Sequence, residues 1–232
     1  MAEASGNLNY QGLFIQLNKR YSSGFQLGAS YTFSTARDDA PESNGPDPLV
    51  LSDPSNRTTD LGRSWGDVKQ TFRFSMVARP SVRTRSRKLS AILNGNQLGV
   101  IIFADSGEVQ NIVTNFDLNR DGVFGNTGPD RPVGVPRNSL RIAAFFNVDL
   151  RISRSFRIGD DRSIEIYAEA ANAFNGKFLS SYGSTSLAGS NLTSSLVNPV
   201  TGQLRGPLPD FNLGVLNWRP MRQIQLGVKV YF

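Results

Sequence analysis

An alternation of apolar and polar residues with a period of two runs through most of this chain, and it limits the fold more than any other feature. From Phe25 to Phe33 the odd positions read Phe25, Leu27, Ala29, Tyr31 and Phe33, and the even ones Gln26, Gly28, Ser30 and Thr32. Successive side chains of a strand point to opposite faces, so such a stretch is a β-strand with one apolar and one polar side. Just upstream Leu13, Ile15 and Leu17 alternate with Phe14, Gln16 and Asn18, and Tyr21-Ser22-Ser23-Gly24 supplies a tight turn between the two runs. The period returns at Phe72, Phe74 and Met76, at Phe146, Val148, Leu150 and Ile152, and at Ile164, Ile166 and Ala168 after the turn Gly159-Asp160-Asp161. Leu98, Val100 and Ile102 belong to a more uniformly apolar run reaching about Ala104, and Ile224, Leu226, Val228, Val230 and Phe232 close the chain. Seven strands account for the pattern, with a weak eighth around residues 211–218, and no segment carries a helical period.

The connections alternate too. Strands 1–2 and 5–6 are joined by tight turns, whereas the segments 37–65, 105–142 and 175–220 are long and rich in Gly, Pro, Asn, Asp and Ser; the segment 79–95 is intermediate. Three such loops are unusual in a compact soluble domain. Short turns at one end and long loops at the other are the plan of outer-membrane barrels.

Composition removes several classes of chemistry. The 232 residues include no Cys and no His. That excludes disulfides, thiolate nucleophiles, Cys- or His-ligated metals and a Ser-His-Asp triad. No apolar run reaches the roughly 20 residues of a transmembrane helix. Met1-Ala2-Glu3-Ala4-Ser5-Gly6 lacks the basic and apolar regions of a signal peptide. No site supports an enzyme.

Alternation alone does not say which face is outward, since a soluble sandwich turns its apolar face in. Arg73, Asp149, Arg151, Glu165, Glu169 and Lys229 sit mid-strand on the polar face, as they would in a wet lumen. Aromatics gather near strand ends at Tyr21, Phe25, Tyr31, Phe33, Phe145, Phe146, Phe174, Tyr231 and Phe232, where interfacial girdles lie. The expected fold is therefore all-β, an antiparallel transmembrane barrel fragment of seven or eight up-and-down strands with long external loops.

The last strand, Gln225-Leu226-Gly227-Val228-Lys229-Val230-Tyr231-Phe232, matches the polar-x-Gly-x-x-apolar-x-aromatic ending of bacterial outer-membrane barrels. The chain further resembles TonB-dependent outer-membrane receptors of the Oar-like group, which carry a carboxypeptidase-regulatory-like domain. The resemblance rests on the 10–32 hairpin, Asp130-Arg131-Pro132-Val133-Gly134, Arg137-Asn138-Ser139-Leu140-Arg141, Phe146-Asn147-Val148-Asp149-Leu150-Arg151, Glu169-Ala170-Ala171-Asn172-Ala173-Phe174-Asn175 and Arg222-Gln223-Ile224-Gln225-Leu226.

The resemblance implies that Gln225, Gly227, Val230 and Phe232 form the signal read by the barrel assembly machinery. It also implies residence in the bacterial outer membrane, lipid around the barrel, energy relayed by TonB and an unidentified large ligand. It covers only the C-terminal end of such a receptor, so residues 1–232 are expected to be a fragment lacking plug, TonB box, signal peptide and regulatory domain. Counting back from a periplasmic Phe232 places both tight turns in the periplasm and the three long loops outside. A non-transporting structural or adhesive outer-membrane protein, a small barrel of about eight strands, and a soluble calcium-binding β-domain are the alternatives.

Asp117-Leu118-Asn119-Arg120-Asp121-Gly122-Val123 fits the first half of a calcium loop: Asp117, Asn119 and Asp121 offer hard oxygen ligands at every second position, and Val123 a carbonyl. The bidentate Glu expected at position twelve is replaced by Gly128, and Asp130 substitutes only if the loop folds back. The competing reading is a solvated Asx-rich turn. Calcium is the one cofactor expected. Arg79, Arg83, Arg85, Arg87 and Lys88 form a basic stretch without interleaved aromatics, so a solvated periplasmic turn is expected there and no nucleic-acid partner. Asp149, Glu165 and Glu169 are expected to be charge-paired with Arg151 and Arg154.

Overall fold

The computed structural model describes residues 6–39, 51–53, 55–122, 124, 130–159, 161–176, 191–208 and 221–232. Seven long strands build its main sheet: β1 (Leu8–Ser22), β2 (Phe25–Asp38), β3 (Gln70–Ala78), β4 (Asn96–Asp105), β5 (Phe145–Ile158), β6 (Arg162–Ala171) and β7 (Gln223–Tyr231). Each pairs antiparallel with its sequence neighbour, so the order is a plain meander. Strand lengths run from 9 to 15 residues, enough to cross a hydrocarbon core at a tilt. The sheet is open, with β1 and β7 as its edges. The expected strand at 211–218 lies outside the described residues.

The registers keep the apolar set of every strand on one face. Ile15 stands opposite Tyr31, Tyr31 opposite Phe72, Phe72 opposite Ala104 and Ala104 opposite Phe146. Further along, Leu98, Ile152, Ala168 and Leu226 form another such row. A one-residue slip at any pair would break these rows, so the pattern fixes the pairing.

Residues 79–95 contain a helix, α1 (Arg87–Leu93), where the sequence reading expects only a turn. Seven residues are too few to print a 3.6-residue period; the Ser86 side chain caps the helix by accepting from the Leu89 amide. Tight turns mark one end of the sheet. Gly24 at φ 86° and Gly159 at φ 73° adopt the left-handed backbone they require.

The described parts of the long loops are structured as well. Val109–Gln110 pairs with Leu140–Arg141, Val113–Thr114 runs parallel to Asn191–Leu192, and Gly62–Arg63 extends the sheet beside the end of β2. Ile112, Leu192 and Val197 are buried together, with Phe116, Val135, Leu140 and Leu204 packed around them. The loops therefore form a cap with its own small apolar core at the end opposite the tight turns.

Candidate functional site

The two faces of the sheet are built for different surroundings. On the apolar face none of the described residues covers Leu17, Ile166, Leu226 or Val228, which are 61%, 50%, 77% and 63% exposed. A sheet that leaves so continuous an apolar face bare needs a partner or a bilayer against it. Tyr31, Phe33, Phe72 and Phe146 lie on this face at the cap end, where an aromatic girdle belongs. Phe145 and Tyr231 fall on the other face, so the sequence-based girdle is too broad by those two. Phe145 packs against Phe103 there, with ring centroids 5.5 Å apart and the planes tilted by 50°.

On the polar face Arg151 is the hub. Its guanidinium reaches Glu165 at 3.0 Å and also bonds Glu169, both on β6. The Tyr231 hydroxyl donates to the other Glu165 oxygen at 3.0 Å. Arg151 and Lys229 flank the Tyr167 ring, 4.4 and 5.3 Å from its centroid. Asp149 accepts from the Asn147 side chain and the Asn172 amide, both at 2.8 Å. Arg73 lies over Phe103, 5.3 Å away.

All six expected lumen residues thus share one face, and β5, β6 and β7 join four of them in one network. Arg154 does not belong to it. Its register partner is Ile166 and its guanidinium lies over Phe156, on the apolar side near the tight turns. Neighbouring Gln97, Ser153, Ser155 and Glu165 line a polar concavity of about 460 Å³.

The assembly-signal residues sit on the edge strand β7. Gln225 and Gly227 face the polar side opposite Glu169 and Tyr167, Val230 faces the apolar side opposite Ile164, and Phe232 projects 98% exposed.

In the cap, arginines of the segment after β4 dock on carboxylates of the segment after β2. Arg131 meets Asp60 at 2.6 Å, with both side chains over nine-tenths buried, and Arg141 meets Asp67 at 2.7 Å. Arg137 pairs with Asp38 at the top of β2, and its burial pulls the guanidinium below its ordinary value. Sequence reading misses these pairs, which span 71 to 99 residues with no local signal.

The 117–122 loop is closed by Asx hydrogen bonds. Asp117 accepts the Asp121 and Gly122 amides at 3.2 and 2.9 Å, Asn119 also accepts from Asp121, and Gly122 takes φ 87°. Asp130 does fold back: one of its oxygens accepts the Leu118 and Asn119 amides at 2.8 and 3.1 Å. Its other oxygen is buried with no hydrogen-bond partner. Burial pushes its carboxyl up, and the nearby Asp117 and Asp121 charges add to the rise. Val123 lies outside the described residues. Among the described residues no group of three carboxylates is placed to hold a metal ion, so any cation here would draw on amide and carbonyl oxygens too.

A meander with a bare apolar face, a charged and hydrogen-bonded inner face, tight turns at one end and a loop cap at the other is the wall of an outer-membrane β-barrel. The family comparison agrees. A model described as "Outer membrane beta barrel domain" matches residues 1–135, more than half of the chain, and the chain belongs to that family. Its place is the bacterial outer membrane, which removes the soluble alternative. No curated protein and no solved structure matches it.

Proposed function

We propose that residues 1–232 form the C-terminal barrel wall of a TonB-dependent receptor of the Oar-like group, in which a large ligand enters past the cap. The observation that carries this reading is the charged network around Arg151 on the inner face. A charged and hydrogen-bonded inner face of this kind suits a lumen packed against a plug. The exposed strand β7, ending in Phe232, is suited to recognition by the barrel assembly machinery. The role is binding and passage rather than catalysis.

An antibody against the cap tests the proposal on outer-membrane fractions of the source bacterium. The expected band runs far above 25.4 kDa and co-purifies with the periplasmic domain of TonB. A band of that mass that ignores TonB would favour the structural or adhesive alternative. Calcium is the cofactor proposed for the 117–130 loop, as a brace for the cap, because the buried Asp130 oxygen otherwise has nothing to bind.

A further inference from the structure

The tight-turn end carries a feature that barrel architecture does not require. Residues 79–95 leave β3 and return to β4 with five cations, Arg79, Arg83, Arg85, Arg87 and Lys88, and no Asp or Glu anywhere from 68 to 104. The segment is ordered. The Arg79 amide donates to the Gly24 carbonyl of the adjacent turn at 2.6 Å, and its guanidinium donates to Gln97 at 2.8 Å. Asn94 clamps Val82 through both of its backbone groups, at 2.6 and 3.0 Å, closing the excursion into a compact loop that holds α1.

Within that loop Arg83, Arg85, Arg87 and Lys88 are exposed. Among the described residues none of the four side chains makes an ion pair or hydrogen bond, although four like charges in six residues repel one another. Val82 and Leu89 flank them, 42% and 51% exposed. The carboxylates of the tight turns, Asp160 and Asp161, belong to the β5–β6 turn, not to this loop.

Cations flanked on both sides by bare apolar side chains suit a surface with phosphates above and hydrocarbon below. The loop stands where such a surface lies. The strands it joins carry Met76, Ala78, Leu98 and Val100 on the lipid-facing side, up to the point where the loop begins. We infer that the 82–89 segment is a binding site for the headgroups of anionic phospholipids, with Arg83, Arg85, Arg87 and Lys88 on the phosphates and Val82 and Leu89 in the acyl boundary. On the proposed orientation this is the periplasmic leaflet. The inference rests on the apolar face of the sheet meeting lipid.

The test uses the full chain in zwitterionic detergent micelles, with fluorescent short-chain phosphatidylglycerol or phosphatidylcholine as probe. Wild type should prefer phosphatidylglycerol, more weakly as salt rises. R83S/R85S/R87S/K88S should reduce that affinity about tenfold or more, leaving phosphatidylcholine uptake and the β circular-dichroism signal unchanged. R83K/R85K/R87K should keep the preference and so exclude a folding effect. Equal affinity for the two lipids, an unaffected quadruple variant, or displacement by inorganic phosphate at matched concentration would each overturn the inference. Uptake of neither lipid would overturn it together with the lipid-facing reading of the sheet, a result distinct from the other three.

Discussion

The Tyr167 ring occupies the space that a side chain at position 227 would need: a Cβ built on Gly227 would come within 2.6 Å of the Tyr167 Cε1. The two residues are cross-strand partners between β6 and β7. The glycine of the terminal motif therefore has a packing role inside the sheet, independent of any part in assembly. Gly227→Ala should destabilise the fold by about 1–3 kcal/mol by overpacking. In a Tyr167→Ser background the same change should cost little. Urea titration of both pairs in micelles measures the difference, and equal costs in the two backgrounds would contradict the contact.

The two faces of β7 should answer oppositely to one added charge. Val228→Arg places a cation against hydrocarbon and should cost about 2–4 kcal/mol near mid-membrane. Gln225→Arg faces the polar side opposite Glu169 and should cost little. Folding yield into lipid vesicles over a denaturant series compares them.

Arg131 and Asp60 form a buried pair joining two segments of the cap. Removing one partner leaves the other charge buried, so Arg131→Ala should cost the cap about 3–5 kcal/mol. The strands gain nothing from this pair. Limited proteolysis should thus cut the cap of the variant early while the β-sheet signal persists, and simultaneous loss of both would mean cap and sheet fold as one unit.

Asp130 makes the cap sensitive to pH in a definite direction. Its folded carboxyl binds a proton more tightly than the unfolded one, because burial raises it. Its contribution is present below the ordinary carboxylate range and is lost as pH rises through the raised folded value. Asp130→Asn should flatten that loss, since an amide oxygen can still accept from Leu118 and Asn119. Thermal unfolding followed by tryptophan fluorescence, to which Trp65 and Trp218 both contribute, with and without calcium, reads both effects. Calcium should raise the midpoint of wild type and not of the variant; the same rise in both would place the ion elsewhere.

What the sequence discloses follows from how evenly each environment is imposed. Strands between a lipid side and a wet side must alternate along their whole length, so β2, β5 and β7 can be read residue by residue. Parity also assigns Arg154, between Ile152 and Phe156, to the apolar side, although its charge alone suggests the lumen. The cap is illegible for the opposite reason. Val109 and Leu192 are buried singly between polar neighbours, and Ile112 and Val113 only as an adjacent pair with no period, while the partners of Ile112 and Leu192 come from distant segments. Of the 117–130 loop, the Asx turns are written in the motif, while the return of Asp130 depends on how the rest of the cap folds.

The small apolar core of this chain lies in its loops, shielded from water and from lipid alike, while the strands turn their hydrophobic side to the membrane. Heat-capacity change on unfolding tracks apolar surface newly exposed to water. Strands that stay against lipid or detergent contribute little to that quantity, so the heat-capacity change of this protein belongs to its cap. The baseline step across a scan would come from the melting of the loops and owe little to the wall that carries them.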